Sequence, residues 1–397
     1  MIHKSDHQHF HFFLLAIVPF FLCITQTQLS AQGTEDSLTA ALKAFAQQTD
    51  LPGFAVAIVS GEKVLYQKGF GYADRKKETA YTIRTIQNIG SVSKTVVGVA
   101  LVKAIEAGAL TMETPINDIL PFTIVNPYHP ETPILVRHLA SHTSSILDSK
   151  YYGQTYISDG KPENEDGMAM DYYEFIHSHE RMELGDFLKK ILNKEGKWHK
   201  KKNFLKQAPG TVQEYTNLNA ALAAYLIELA TGIPFESFTK EQIFSPLGMT
   251  SSAWSRTDLN AEAFASLYFP RGDQVPYYSL NTYPDGGLLS TVADMSAYLS
   301  EVIKAFQSKS RYLPQTSSNL LLPGDEDDNR AFWGMGSVSR LIGHDGSDPG
   351  MHVAIRFHAD TQIGRVVFTN VNAEDNDELW EQFRELQKIL TQFETRL

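Results

Sequence analysis

The chain has 397 residues, 43% of them hydrophobic, with 35 Lys and Arg against 46 Asp and Glu, for a net charge of −11. That length and apolar content suffice for a large core arranged as two lobes. The acidic balance argues against nucleic acid as a partner and gives strongly anionic substrates no long-range steering.

Residues 2–11 carry Lys4 and four histidines, and residues 12–24 form an apolar run before Leu29-Ser30-Ala31. Thirteen apolar residues are too few to span a bilayer stably, so residues 1–31 are expected to be a secretory signal peptide cut near Ala31. The mature chain, 32–397, is then expected to be exported, periplasmic or secreted. No later segment is apolar enough for a membrane span after leader cleavage. Cys23 is the only cysteine and lies within the leader. Its loss leaves no disulfide, thiolate metal site or cysteine nucleophile. Bulky Leu22 in front of Cys23 disfavours lipid attachment there.

In chain order, Asp36–Thr49 reads as a helix with Leu38, Leu42 and Phe45 on one face. Phe54–Val59 and Val64–Gly69 are β-rich runs around Ser60-Gly61-Glu62-Lys63, a hairpin pattern. The middle is mainly helical, with helices expected at Thr95–Ala107, Val136–Ala140, Met182–Lys194, Leu218–Thr231 and Ala293–Phe306. Residues 147–181, rich in tyrosine and with an acidic stretch at Glu163–Asp166, read as an excursion over the surface or cleft rim that serves packing. Lys197–Lys202 and Gly324–Asn329 read as solvated loops. Near the end, Val353–Phe357 and Arg365–Asn370 flank a turn at Asp360–Gly364, and an amphipathic helix follows from Asp377. The pattern predicts an α/β (α+β sandwich) fold, an antiparallel sheet closed by the chain's two ends. Its α/β lobe would span about 32–91 and 307–397, with an inserted all-helical lobe at about 92–306.

Chemistry concentrates in three clusters. Ser91-Val92-Ser93-Lys94 opens an apolar helix, and positions i and i+3 share a face, so Lys94 can reach the Ser91 hydroxyl while Ser93 points elsewhere. An amine sharing protons with a hydroxyl is one way to make serine a nucleophile. Alone the motif is weak. The second cluster is Tyr215-Thr216-Asn217 before a helix, and the third is Gly343-His344-Asp345-Gly346-Ser347, placed as the entry to the strand at 351–357. His138 and His142 have i, i+4 spacing without an intervening glutamate and read as structural. The chain shows no P-loop, no dinucleotide-binding glycine pattern and no Gly-x-Ser-x-Gly elbow, so no cofactor or metal is expected.

Taken together, Ser91-x-x-Lys94, Tyr215-x-Asn217 and His344-x-Gly346 resemble, in order and spacing, the serine hydrolases of the class C β-lactamase and D,D-peptidase superfamily. Leu51-Pro52-Gly53, Arg137–Ser144, Ile243–Met249, Gly286–Thr291 and Asp294 extend the resemblance over about 35–372. It implies a penicillin-binding, β-lactamase-like fold with Ser91, Lys94 and Tyr215 as catalytic residues. Asn217, His344, Gly346 and Ser347 would bind substrate, and the Ser91 and Ser347 amides would form the oxyanion hole. Asn217 would orient Lys94 and the substrate's amide side chain. The expected substrate is a small molecule or peptide with an amide or ester bond, handled by a peptidase or esterase. A β-lactamase or D-Ala-D-Ala carboxypeptidase is the alternative, and a catalytically silent binding protein the rival from another class. Asp345 departs from the family's usual hydroxyl residue; facing the cleft, it would repel a substrate carboxylate.

Overall fold

The two hairpins expected at the chain's ends meet in one antiparallel sheet. The computed structural model describes residues 33–162, 167–324, 329–336 and 338–397. The leader with Cys23, the Glu163–Asp166 stretch and most of the 324–329 loop lie outside the described residues.

Twelve strands occur among the described residues: β1 Gly53–Val59, β2 Val64–Asp74, β3 Thr79–Ala80, β4 Gln87–Asn88, β5 Tyr156–Ser158, β6 Tyr278–Leu280, β7 Leu289–Ser290, β8 Asn329–Arg330, β9 Trp333–Met335, β10 Leu341–Asp348, β11 Met351–His358 and β12 Gly364–Thr369. Eight of them form the main sheet in the order β3-β2-β1-β12-β11-β10-β9-β8. β1 lies antiparallel to β12, with Phe54 opposite Thr369 and Val59 opposite Gly364, so the chain's two ends zip together at the sheet centre.

The helices are α1 (residues 33–46), α2 Ser93–Glu106, α3 Val136–Ala140, α4 Gly167–Ile176, α5 Leu184–Leu192, α6 Asn217–Thr231, α7 Phe235–Thr239, α8 Val292–Phe306, α9 Gln315–Leu321 and α10 Asp377–Phe393. Every residue of β1 is buried, because both faces of the sheet are covered. Phe54, Val56 and Ile58 face Leu38 and Leu42 of α1 and Leu379, Phe383, Leu386 and Leu390 of α10. Ala55, Ala57 and Val59 face the larger core, which includes α2, α6 and α8. The fold is therefore α+β: an antiparallel sheet between the terminal helices and the helices of the chain's middle.

Two differences from the sequence expectation matter for the site. Gly343–Ser347 is not the entry to the next strand but part of its own eight-residue strand, β10. The Pro349-Gly350 turn, with Gly350 at φ +78°, folds β10 back on β11 as a hairpin. The excursion at 147–181 also contributes structure, since β5 pairs with β6 and α4 follows. Among the described residues no single helix is long and apolar enough to cross a membrane.

Candidate active site

Gly90–Val92 form a 3-10 turn that leads into α2. Lys94, one turn further on, is wholly buried. Its Nζ donates to Ser91 Oγ at 2.9 Å and to the Asp285 carbonyl at 2.6 Å. Tyr215 OH donates to the same Ser91 Oγ at 2.9 Å, and Lys94 Nζ lies 5.2 Å from the Tyr215 ring centre. Ser91 Oγ thus accepts two hydrogen bonds and keeps its own proton to give. Ser93 points elsewhere, as its place on the helix predicts, and accepts from the Leu288 amide.

Tyr215 stands on the loop before α6, and Asp148 fixes that loop. One carboxylate accepts from Thr216 Oγ1 at 2.6 Å, from the Asn217 amide and Asn217 Nδ2 at 2.9 Å each, and from the Leu218 amide at 3.2 Å. An anion is well placed at a helix N-terminus, where backbone N–H groups are unpaired. The Asn217 side chain therefore bonds to Asp148, a partner the sequence resemblance did not imply. The Tyr215 ring packs against His142, centres 4.8 Å apart, and against His344 at 6.0 Å. His142 Nδ1 accepts from the Thr216 amide at 3.4 Å. Burial, then the Lys94 and His344 charges, lower its pKa to about 3. Burial and the Lys94 charge likewise hold His344 at about 4. Both imidazoles are neutral near pH 7.

The third wall is β10. A methyl group on Gly346 would lie 3.0 Å from the Ser91 and Val92 amides, and one on Gly90 would lie 3.1 Å from the Ser347 amide. The two glycines let the Ser91 and Ser347 N–H groups approach one another across the helix–strand junction. The Ser347 hydroxyl turns away and donates to Asn372 Oδ1 at 2.8 Å. Asp345 does not face the cleft: Arg356 holds its carboxylate with two hydrogen bonds, one from Nε at 2.8 Å and one from Nη2. The charge that would repel a substrate carboxylate is thus paired on the far face of the sheet.

Three acidic residues that the sequence reading did not single out also belong here. Asp148 lies six residues beyond His142, Asp285 directly precedes Gly286-Gly287, and Asp348 directly follows Ser347. Tyr152 OH donates to Asp285 Oδ1 at 3.0 Å and Tyr156 OH to Asp348 Oδ1 at 2.6 Å. Burial raises both carboxyls to about 7, partly offset for each by the Lys94 charge. No group of three metal-ligating side chains occurs among the described residues.

This arrangement can be set beside known proteins. The beta-lactamase family profile matches residues 38–388. The chain belongs to the beta-lactamase family. The matched span runs from α1 into α10 and contains every residue of the site. Protein flp of Staphylococcus aureus (strain COL) is 22% identical over 335 residues, covering 83% of this chain and 61% of the relative. The chain thus spans about three fifths of that curated relative. Among solved structures, the octameric penicillin-binding protein homologue from Pyrococcus abyssi aligns with a TM-score of 0.63 at 23% identity, over 85% of this chain and 73% of that one. The D-alanine carboxypeptidase AmpC from Burkholderia cenocepacia also gives 0.63, at 18% identity, over 91% of this chain and 99% of that one. At such identities the likeness is one of fold. This member of the beta-lactamase family carries the fold with Lys94 and Tyr215 both hydrogen-bonded to Ser91.

Proposed function

We propose that the protein is an exported serine hydrolase that forms an acyl-enzyme at Ser91 and hydrolyses an amide or ester as a peptidase or esterase. The observation that carries this reading is the pair of hydrogen bonds from Lys94 Nζ and Tyr215 OH to Ser91 Oγ, both 2.9 Å long. Ser91 Oγ attacks the substrate carbonyl, and its proton passes through the Tyr215–Lys94 network to the departing amine or alcohol as the carbonyl–leaving-group bond breaks. Water, deprotonated through the same network, then attacks the ester carbonyl and frees Ser91. The amides of Ser91 and Ser347 receive the negative oxygen of each tetrahedral intermediate. His344 and Gly346 line the strand along which the substrate lies.

Because Asp345 is paired with Arg356, it does not oppose a substrate carboxylate. That favours β-lactam hydrolysis or removal of a C-terminal D-alanine as the second reading.

Labelling with a fluorophosphonate and with a fluorescent penicillin tests both. Wild type should be labelled by at least one probe and Ser91→Ala by neither, with turnover down at least about 10⁴-fold. A wild-type chain that neither probe labels would show that the fold serves binding without catalysis. A p-nitrophenyl ester, nitrocefin and a D-Ala-D-Ala peptide then sort the substrates.

A further inference from the structure

We propose that residues 148–156 brace the catalytic groups for acyl transfer, with Tyr152 and Tyr156 as positioning residues: Tyr152 sets Lys94 through Asp285, and Tyr156 sets the Ser347 amide through Asp348. The inference rests on the serine hydrolase reading and assigns to that reaction two residues that act through others.

Ser91 and Lys94, Tyr215, and Ser347 come from segments far apart in the chain, yet one short stretch bonds to all three walls. Asp148 holds the loop of Tyr215 through Thr216, Asn217 and Leu218. Four residues on, Tyr152 OH donates to Asp285 Oδ1 at 3.0 Å, and Asp285 gives its main-chain carbonyl to Lys94 Nζ at 2.6 Å. Four residues further, Tyr156 OH donates to Asp348 Oδ1 at 2.6 Å, directly after Ser347.

The stretch is itself fixed to the segment that carries Asp285. Tyr152–Thr155 form a 3-10 turn, and β5 pairs with β6 so that Tyr156 stands opposite Leu280. The buried Thr155 accepts from the Asn281 amide at 2.8 Å through its carbonyl, and its hydroxyl bonds to Thr282 Oγ1 at 2.6 Å. The Thr282 side chain also reaches the Asp285 carboxyl.

Each tyrosine bond bears on a different group. Lys94 Nζ has two acceptors, Ser91 Oγ and the Asp285 carbonyl, so the place of the Asp285 main chain decides how the amine meets Ser91. Ser347 is held from the far face of the sheet by Asn372. From the near face, Tyr156 is the one side chain bonded to its neighbour Asp348 among the described residues. Misplacing a reacting group or its oxyanion donor by about 1 Å can cost about 10²-fold in rate. Tyr172, on α4, supplies the contrast. Its ring centre lies 6.5 Å from that of Tyr156, but its hydroxyl is buried with no hydrogen-bond partner among the described residues. Phenylalanine would pack as well as Tyr172 does, whereas at 152 and 156 it would release a carboxyl.

The test follows Ser91 labelling in time on the purified full chain, with the fluorophosphonate or, if only that one labels, the fluorescent penicillin. The end point counts competent molecules and the rate constant reports how each reacts, so lost stability alone lowers the first and spares the second. Tyr152→Phe and Tyr156→Phe should each lower the rate constant by at least about five-fold. Tyr172→Phe, the same change in the same region, should stay within about two-fold. Should a phenylalanine variant fail to fold, Asp285→Ala or Asp348→Ala removes the acceptor of the same bond and should give the same loss. A smaller loss at either position, or a loss beyond two-fold in Tyr172→Phe, overturns the proposal while the hydrolase reading stands. A wild type that neither probe labels overturns the hydrolase reading and this inference with it.

Discussion

On β10, His344, Gly346 and Asp348 face the helical side of the sheet, where His344 approaches Tyr215 and Asp348 bonds to Tyr156. Asp345 and Ser347 face the layer of α1 and α10, where they meet Arg356 and Asn372. Adjacent residues of one strand thus belong to two chemically separate places. Strand alternation sends two aspartates three residues apart to opposite faces, one into an ion pair and one into the cleft wall.

The contrast can be broken hardest at Gly346, which belongs to the cleft face. Gly346→Ala would put a methyl group into the Ile89 carbonyl and 3.0 Å from the Ser91 amide. Prising apart the two N–H groups should lower kcat/KM by about 10²–10³-fold, read with an ester substrate alongside a melting curve.

The next effect is on stability against pH. Asp348 keeps its proton up to about pH 7 when folded but loses it near pH 4 when unfolded. Between those values the folded state binds more protons, so this residue lowers stability as pH rises from about 4 to 7. His142 and His344 have the opposite sign: neutral in the fold, they add stability as pH rises through about 3 to 6.5 and 4 to 6.5 respectively. Asp348→Asn isolates the carboxyl. Relative to wild type, it should gain on the order of 2–4 kcal/mol between pH 4 and pH 7, measured by denaturant titration. A gain that does not change with pH would remove the buried-carboxyl description of this face.

Tyr156→Phe takes the donor from Asp348 Oδ1 and should cost about 1–3 kcal/mol. On the other face, Asp345→Asn removes half of a pair whose side chains are 30% and 37% exposed. It should cost under about 1 kcal/mol and leave kcat/KM within about two-fold. A ten-fold loss of activity would mean that the two faces are coupled.

Much of the fold was legible in the sequence because its signals are local. The turn at Ser60–Lys63, the leucines and phenylalanines along α10, and the glycines after α2 and α6 act over a few residues. β10 is harder to see: Gly343-His344-Asp345-Gly346-Ser347 is polar and glycine-rich, with no apolar alternation, and pairing with β11 along its length and with β9 at Ile342 and Gly343 holds it extended. Tyr152 and Tyr156 lie in a stretch whose pattern predicts packing, and packing does not distinguish a ring edge from a hydroxyl that reaches a buried carboxyl.

The sequence by itself determined the Ser91–Lys94 pairing, since helix periodicity places i and i+3 on one face. It also determined the order of the three clusters and the closure of the sheet by its ends. Only the tertiary structure decided that Asp148 holds Asn217, that Asp345 turns to Arg356, and that Asp285 and Asp348 turn inward. Each of those choices depends on strand register or on contacts between segments distant in the chain, which leave no periodic trace in the sequence.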